Sequence, residues 1–333
     1  MCDNRGLPRF IALASVLAAM LIVFPAFAQQ LAASWSMATP LPQGRSEIQA
    51  ATIDGKIYVV GGAWTENKDA QQIEHFTDGF TTEYDPMTQR WRERARAPEG
   101  RTHQGIAVLG GKIYLAGGFA GRAHSLPSAG VYSYDPASDH WQSLAPLSWL
   151  RGSVALAAVG GKLHSIGGRI MGEEETLATH EVYDPATNSW HMAAPLPTAR
   201  DHAGVFVADG KIHIVGGRTG EGTANVALHD VYDPATDKWT PAPPMPTPRS
   251  SGAFAEYHGL VFYAGGECRG GKTYDEVEAY DVKGGRWLKF PALPAARHAF
   301  AAAVAGDKLF FIGGALGCGG SGKVPDMLQL TLR

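Results

Sequence analysis

Short apolar segments recur along this chain, and each one ends in a pair of glycines. The six segments read KIYVVGG, KIYLAGG, KLHSIGG, KIHIVGG, LVFYAGG and KLFFIGG, and successive glycine pairs are 56, 50, 49, 49 and 48 residues apart. Short segments rich in β-branched and aromatic residues, bounded by glycine, predict buried strands. Their regular spacing predicts a unit of about 50 residues that is repeated six times.

Each repeat predicts four strands. A run of small apolar residues precedes the glycine segment, as in GIAVL or AFAAAV, and a two-residue turn such as Asp54-Gly55 joins the two. Such turns need residues that accept positive φ, which Gly and Asp do. After the glycines, a tyrosine precedes a tryptophan by seven residues in five repeats; these pairs are Tyr84/Trp91, Tyr134/Trp141, Tyr183/Trp190, Tyr232/Trp239 and Tyr280/Trp287. The Asp-Pro that follows four of these tyrosines is typical of a type I turn between two strands.

The order of strand, glycine pair, Tyr-Asp and Trp resembles the kelch repeat, from Trp35 to about residue 330. The resemblance implies an all-β fold, a six-bladed kelch β-propeller with four antiparallel strands per blade. The runs of small residues would then be the innermost strands, where space near the axis is least.

The two ends of the repeat region complement each other. After Gly314 only one more strand is predicted, MLQLTLR at 327–333, and no Tyr/Trp pair follows it. Trp35, in turn, has no preceding tyrosine. We therefore expect the strand around Trp35 to complete the sixth blade, which closes the ring and protects its edges.

Residues 1–28 have a different character. Arg5 and Arg9 precede an apolar run from Phe10 to Phe24, and Ala26-Phe27-Ala28 follows. This layout predicts a signal peptide cleaved after Ala28, with an uncleaved anchor as the alternative. Residues 29–333 would then form a single propeller domain, periplasmic or secreted, with no membrane span. The net charge of −3 provides no basic surface for nucleic acid.

The segments whose length varies between repeats indicate where a ligand would bind. The spacing from Tyr to Trp and from Trp to the next glycine pair is constant, whereas the segment between the glycines and the tyrosine varies and is longest in the first repeat. These segments lie on one face of the predicted propeller, the loop face, and loops on a rigid scaffold often carry function. Trp64 and Trp149 lie outside the repeat pattern on this face, where either could stack on a ligand or pack locally.

Charged residues supply two further candidate sets on the loop face. The residue after each glycine pair is specific to its blade, and in three consecutive blades it is Arg169, Arg218 and Glu267. This set suits a polar or acidic ligand, or forms a salt-bridge cluster. An arginine also precedes the first strand of every repeat, as an anion-binding ring or as scaffold; these residues are Arg45, Arg101, Arg151, Arg200, Arg249 and Arg297.

Histidine and cysteine residues are the candidates for metal ligands and for a cross-link. His103, His202 and His298 follow the repeat arginines at unequal offsets, so structural roles are favoured over a metal site, and Glu173–Glu175 is favoured as a solvated loop. No metal and no cofactor are expected. Cys268 and Cys318 follow glycine pairs in neighbouring blades, and we predict a disulfide, with free thiols as the alternative.

The predicted function is that of an exported, non-enzymatic binding module. Its partner on the loop face would be a protein or a glycan, with acidic sugars among the candidates. The alternative is a sugar-active enzyme that resembles the sialic acid mutarotases among kelch propellers, for which Glu267 is the catalytic candidate. The copper ligands of galactose oxidase, another kelch enzyme, cannot be placed on this sequence. Motifs for phosphate binding, serine hydrolysis or zinc proteolysis are absent.

Overall fold

The computed structural model of this protein describes residues 1–2, 33–68, 71–76, 78–122, 124–170, 176–220 and 224–332. Residues 3–28 of the predicted signal segment therefore lie outside the described residues, as does Glu173–Glu175. Residues 33–333 form one compact unit. No helix among the described residues has the length and apolar character needed to cross a membrane.

The described residues form six sheets of four antiparallel strands each, which confirms the predicted six-bladed propeller. The inner strands of blades one to six are Gln49–Ile53, Gly105–Leu109, Ala155–Val159, Gly204–Ala208, Ala253–Tyr257 and Ala301–Val304. The second strands are Lys56–Val60, Lys112–Ala116, Lys162–Ile166, Lys211–Val215, Leu260–Arg269 and Leu309–Ile312. The third strands are Thr81–Asp85, Val131–Asp135, His180–Asp184, His229–Asp233, Lys272–Asp281 and Met327–Leu332. The outer strands are Arg90–Glu93, His140–Leu144, Ser189–Met192, Lys238–Pro241, Arg286–Phe290 and Ala33–Met37.

Blade six is completed by the strand that comes first among the described strands. Ala33–Met37 pairs antiparallel with Met327–Leu332, and Trp35 lies opposite Leu330. This pairing is the predicted ring closure. It gives blade six the same four layers as the other blades and leaves Met327–Leu332 with a partner on both sides.

The repeat tryptophans tie each blade to the one before it. In five blades the tryptophan lies directly across from the repeat tyrosine, as Trp141 does from Tyr134, and its indole N–H donates to a backbone carbonyl of the preceding blade. Trp35 makes the equivalent bond to Pro291 O at 3.3 Å. Trp35 therefore takes the sixth position in this ring of indoles, although it has no tyrosine before it in sequence.

Small side chains and left-handed turns build the inner wall. Alanine and glycine predominate in the inner strands, which are neighbours around the axis. The hairpins from inner to second strand have positive φ at both turn residues in five blades, as in Asp54-Gly55, whereas blade six has it only at Gly306. The main apolar clusters lie between neighbouring blades, so each blade is stabilised by the next.

Each glycine pair lies where two blades meet. The second glycine of each pair donates its N–H to the carbonyl of the repeat arginine in the next blade, from Gly62 to Arg101 at 3.0 Å and onward to Gly314 and Arg45 at 2.8 Å. A Cβ on Gly117 would lie 2.4 Å from the carbonyl oxygen of Arg151, and its φ of +64° also favours glycine. The glycines therefore permit the close approach that joins the blades.

The long first loop forms an additional hairpin. Ala63–Lys68 pairs with Gln71–His75, and its first residues pair with the short strand Arg45–Ser46. In blade four, Arg218–Thr219 pairs with Ala224–Asn225. A short 3-10 turn covers Cys318–Gly320.

Candidate binding site at the mouth of the central channel

A channel of about 200 Å³ runs along the axis, between the inner strands of all six blades. We define its mouth by the residues that lie two positions after each repeat arginine, and all six of them line the channel: Glu47, His103, Ser153, His202, Ser251 and Ala299. Their φ angles lie between 52° and 57°, so the backbone is left-handed at the same point of every blade. The six positions have the same backbone conformation but carry different side chains. A site that recognises one specific ligand needs such an asymmetric set of side chains.

This ring of positions was missed from the sequence as a set. His103 and His202 were noted, but Glu47, Ser153 and Ser251 were not connected with them. The available signal was the constant offset of two residues from each arginine. Comparing all six repeats at that offset would have found the ring, because its residues are polar in five blades and differ from blade to blade.

Glu47 and His103 are in direct contact at the mouth. The carboxylate Oε2 lies 2.9 Å from His103 Nε2, and the imidazole Nδ1 is 2.8 Å from Thr102 Oγ1. Burial alone would raise the pKa of Glu47, but the neighbouring His103 imidazole holds this pKa well below the ordinary glutamate value. The mouth therefore contains a carboxylate that stays ionised beside an imidazole, which is a pair able to hold or exchange a proton.

His202 faces the mouth and is oriented from behind by Asp201. Its Nδ1 contacts the Asp201 carboxylate, while its Nε2 lies 3.3 Å from Ser153 Oγ and 3.4 Å from Arg218 Nη2. A carboxylate only accepts, so Nδ1 carries the proton and Nε2 presents a lone pair to the mouth. Burial lowers the pKa of His202, and the guanidinium of Arg218 lowers it further, so this imidazole is neutral.

A third imidazole, His124, reaches the same place from the loop after the second glycine pair. Its ring centroid lies 4.7 Å from that of His103 and 5.1 Å from that of His202. Its Nε2 is 3.4 Å from Arg218 Nη2. Burial lowers the pKa of His124 well below the ordinary histidine value, and the guanidinium of Arg218 lowers it further, so this imidazole is neutral too. His124 was not singled out from the sequence, because it lies in a loop with no fixed offset from the repeat.

Arg169, Arg218 and Glu267 come together as the repeat register predicts, but they bind one another through Asp201. Asp201 forms an ion pair with Arg169 Nη1 at 3.0 Å and accepts a hydrogen bond from Arg218 Nε at 2.9 Å, and Arg218 Nη1 lies 3.0 Å from Glu267 Oε2. Asp201 is buried and directly follows the repeat arginine Arg200. Two carboxylates thus compensate the two arginines, which weakens the argument for a specifically acidic ligand.

The six repeat arginines lie inside the blades rather than at the mouth. Each is at most 1% exposed and donates to backbone carbonyls, to a threonine or serine hydroxyl, or to a carboxylate. Arg151, for example, bonds Ser165 and forms an ion pair with the fully buried Glu181 at 2.5 Å. Arg45 donates to Gly61 O at 3.2 Å and to Thr82 Oγ1 at 2.6 Å. Their geometry is that of the scaffold alternative, and it leaves none of the six in an anion-binding funnel.

The two non-repeat tryptophans differ in how accessible they are. The Trp64 ring stacks on His75 at 4.2 Å between centroids, and its indole N–H contacts Asp78. One face of Trp64 is therefore covered by its own hairpin. Trp149 is 58% exposed, beside the exposed Leu150. Only Trp149 offers a largely open aromatic surface on the loop face.

The remaining predicted positions are structural in this fold. A disulfide joins Cys268 to Cys318, whose Cα atoms are 5.7 Å apart, between blades five and six. His298 is fully buried, and its Nε2 contacts Gly317 O at 3.0 Å and Gly320 N at 3.3 Å. His298 thus supports the loop of blade six instead of joining His103 and His202 at the mouth.

The six blades, their glycine pairs and their Tyr/Trp pairs define a kelch β-propeller. The chain belongs to the kelch-repeat family: residues 151–314 match the model described as the KLHDC2/KLHL20/DRC7 Kelch-repeats domain, and residues 100–148 match the Kelch motif. Domains of this family are typically protein-interaction modules.

Similar proteins share the repeat over limited lengths. Kelch-like protein 28 of Homo sapiens is 31% identical over 91 residues, which are 27% of this chain and 16% of that protein. Kelch-like protein terF of Aspergillus terreus is 33% identical over 89 residues, which are 26% of this chain and 18% of that protein. The solved structure of YjhT superposes with a TM-score of 0.73 at 16% identity, covering 90% of this chain and 100% of YjhT. At that identity the likeness shows the fold alone.

Proposed function

We propose that this protein is a non-enzymatic binding module that holds a glycan over the mouth of the central channel. The observation that carries the proposal is the set of six equivalent left-handed positions occupied by Glu47, His103, Ser153, His202, Ser251 and Ala299. A scaffold role alone requires the same backbone in each blade, but it does not require side chains that differ from blade to blade.

The chemistry at the mouth suits hydroxyl groups. Ser153 and Ser251 can donate and accept, Glu47 accepts, and the imidazole of His202 presents a lone pair. A sugar offers several hydroxyls that each donate and accept, and Trp149 on the same face offers a surface for stacking. Because Asp201 and Glu267 already bind Arg218, neutral sugars fit this site at least as well as acidic ones.

A glycan array screened with the protein, followed by calorimetric titration of the best ligand, tests this proposal. We expect Ser153→Ala and Trp149→Ala each to weaken binding, and His140→Ala, an exposed change on an outer strand, to leave it unchanged. Failure to bind any glycan would overturn the proposal, and capture of a defined protein through the same face would replace it. If the ligand is a sugar acid, Arg218→Gln would weaken its binding more than that of its neutral analogue.

A sugar-active enzyme is the second candidate, and the contact between Glu47 and His103 favours it. A mutarotase needs a group that moves a proton at the anomeric centre, and Glu47 is better placed for this at the mouth than Glu267, which is bound to Arg218. Exchange spectroscopy by NMR on a reducing sugar acid would show faster anomer exchange with the wild type than with Glu47→Gln. Equal exchange with and without the wild type would eliminate the enzyme.

We also propose a periplasmic or secreted location. The basic start and the apolar run of residues 1–28 support export, and the disulfide between Cys268 and Cys318 is compatible with an oxidising compartment. N-terminal sequencing of protein recovered from the periplasm or medium should begin at Gln29. Recovery of the full-length chain from the cytoplasm alone would refute it.

A further inference from the structure

Three imidazoles meet at the mouth, and one ring nitrogen of each lies close to the other two. One nitrogen of His103, one of His124 and one of His202 all lie within 4.8 Å of one another. The residues come from two loops of blade two and one of blade four, so only the closed propeller brings them together. Three nitrogens bound to a tetrahedral ion at 2.0–2.1 Å would be about 3.3 Å apart, so modest ring rotations would close the site.

We propose that His103, His124 and His202, with the carboxylate of Glu47, form a binding site for a divalent transition-metal ion such as Zn²⁺. This inference goes beyond the proposed glycan binding and does not depend on it. Imidazole and carboxylate ligands suit Zn²⁺, Cu²⁺ and Ni²⁺ better than Mg²⁺ or Ca²⁺, which prefer sites of oxygen ligands.

The orientation of two of the three rings supports this assignment. His202 Nδ1 contacts Asp201, which leaves Nε2 directed to the mouth, and His103 Nδ1 is 2.8 Å from Thr102 Oγ1, which directs its Nε2 the same way. Metal-binding histidines commonly use their second nitrogen in this manner to fix ring orientation. Buried Asp201 and Thr102 thus hold two of the three imidazoles in the orientation that a metal site requires.

Glu47 supplies the fourth ligand. Its Oε2 lies 2.9 Å from His103 Nε2, so a carboxylate oxygen adjoins one of the three converging nitrogens. Three histidines with one carboxylate give the four ligands of a closed zinc site, and a shift of Glu47 would leave the fourth position open for water or for a ligand.

The guanidinium of Arg218 borders the histidine cluster, and its positive charge would repel a metal ion. Its Nη2 lies 3.4 Å from both His124 Nε2 and His202 Nε2, and its charge is compensated by Asp201 and Glu267. A metal ion would have to take over these lone pairs from the guanidinium. Replacing Arg218 should therefore increase metal affinity, whereas a network that exists only for hydrogen bonding would show no such change.

The proposal is tested by calorimetric titration of ZnCl₂ into full-length protein that has been stripped with EDTA and dialysed, without any sugar. We expect one Zn²⁺ per chain, and at least a 10- to 100-fold loss of affinity in His124→Ala, which removes a direct ligand. His140→Ala, an exposed histidine on an outer strand, is the matched control and should titrate as the wild type does. Arg218→Gln should bind Zn²⁺ more tightly.

Two further measurements guard against a variant that fails to fold. Co²⁺ added to wild-type protein should give the visible absorption of a tetrahedral site with imidazole ligands, and Zn²⁺ should raise the unfolding temperature of wild type but not of His124→Ala. The proposal is overturned if wild type binds no Zn²⁺, if Co²⁺ gives only the spectrum of the hydrated ion, or if His124→Ala and His140→Ala bind alike. Glycan binding is measured separately with EDTA-treated protein, so the metal proposal and the glycan proposal can each be refuted independently.

Discussion

The N–H of Gly314 donates to the carbonyl of Arg45 at 2.8 Å, and this bond joins blade six to blade one. The same bond connects each of the other glycine pairs to the arginine of the next blade. The closing interface is distinctive because the outer strand of blade six, Ala33–Met37, comes from the other end of the propeller sequence. The stability of the closed ring therefore depends on how well this strand is held.

Trp35→Ala should weaken the strand pairing that closes the ring. The Trp35 indole lies 5.6 Å from the Phe311 ring and donates to Pro291 O, so its loss removes apolar packing and a hydrogen bond. We expect a decrease of about 2 kcal/mol in the free energy of unfolding, measured by urea denaturation. Trp149→Ala is the matched control: Trp149 is mostly exposed and should change stability by less than about 0.5 kcal/mol. Equal effects of the two changes would contradict this role for Trp35.

Removing the charge of Arg151 tests whether the repeat arginines are scaffold. Arg151→Ala leaves Glu181, which is fully buried, without its ion pair, and we expect a loss of about 3–5 kcal/mol. Replacing both residues by apolar ones, as in Arg151→Met with Glu181→Leu, should recover much of that loss because no charge is then left buried. Denaturation midpoints of the single and double variants check this. An Arg151→Ala protein that is as stable as wild type, with weaker anion binding, would restore the funnel interpretation.

Reduction of Cys268–Cys318 should destabilise blades five and six. The bond joins residues 50 positions apart, and the chain-entropy model gives it about 4 kcal/mol. Urea denaturation with and without a reductant should show a lower midpoint in the reduced wild type. Cys268→Ser with Cys318→Ser should match the reduced protein and respond no further to reductant. A reductant effect that persists in the double variant would point to some other cause.

Much of this fold could be predicted from the sequence, since every repeat encodes the same four-stranded blade. The run of small residues, the glycine segment and the Tyr/Trp pair predicted the four strands, and the unpaired Trp35 predicted the closure. The same repetition predicted that Arg169, Arg218 and Glu267 are neighbours. The ion pairs of Asp201 with Arg169 and Arg218 were not predicted, because the residues that directly follow the repeat arginines were not considered as a set.

The mouth was harder to predict, because it depends on packing about the axis. His103 and His202 belong to blades two and four, and their side chains meet only across the channel. His124 lies in an irregular loop, where sequence spacing does not determine direction. Residues at one repeat offset can be grouped from sequence alone, but a loop residue that joins them is found only in three dimensions.

Two buried histidine pairs should make this protein sensitive to acid. In blade three His164 Nδ1 lies 2.9 Å from His180 Nε2, and in blade four His213 and His229 repeat this contact. His180 Nδ1 faces a carbonyl, which only accepts, so His180 Nε2 accepts from His164 and both rings are neutral. Burial lowers the pKa of His164 to about 3 and that of His180, His213 and His229 to about 4.

The sign of the pH effect follows from these lowered values. Since an unfolded histidine has a pKa near 6.5, the unfolded chain binds more protons than the folded one below that pH. The stabilisation is therefore complete above about pH 6.5 and is lost as the pH falls toward 4, by about 3 kcal/mol for one histidine shifted from 6.5 to 4. Urea denaturation between pH 7.5 and 4 should show this decline. Replacing His213 and His229 together by leucine and methionine should make the decline shallower, whereas His140→Ala should leave its slope unchanged; identical slopes in all three proteins would show that the buried pairs do not cause it.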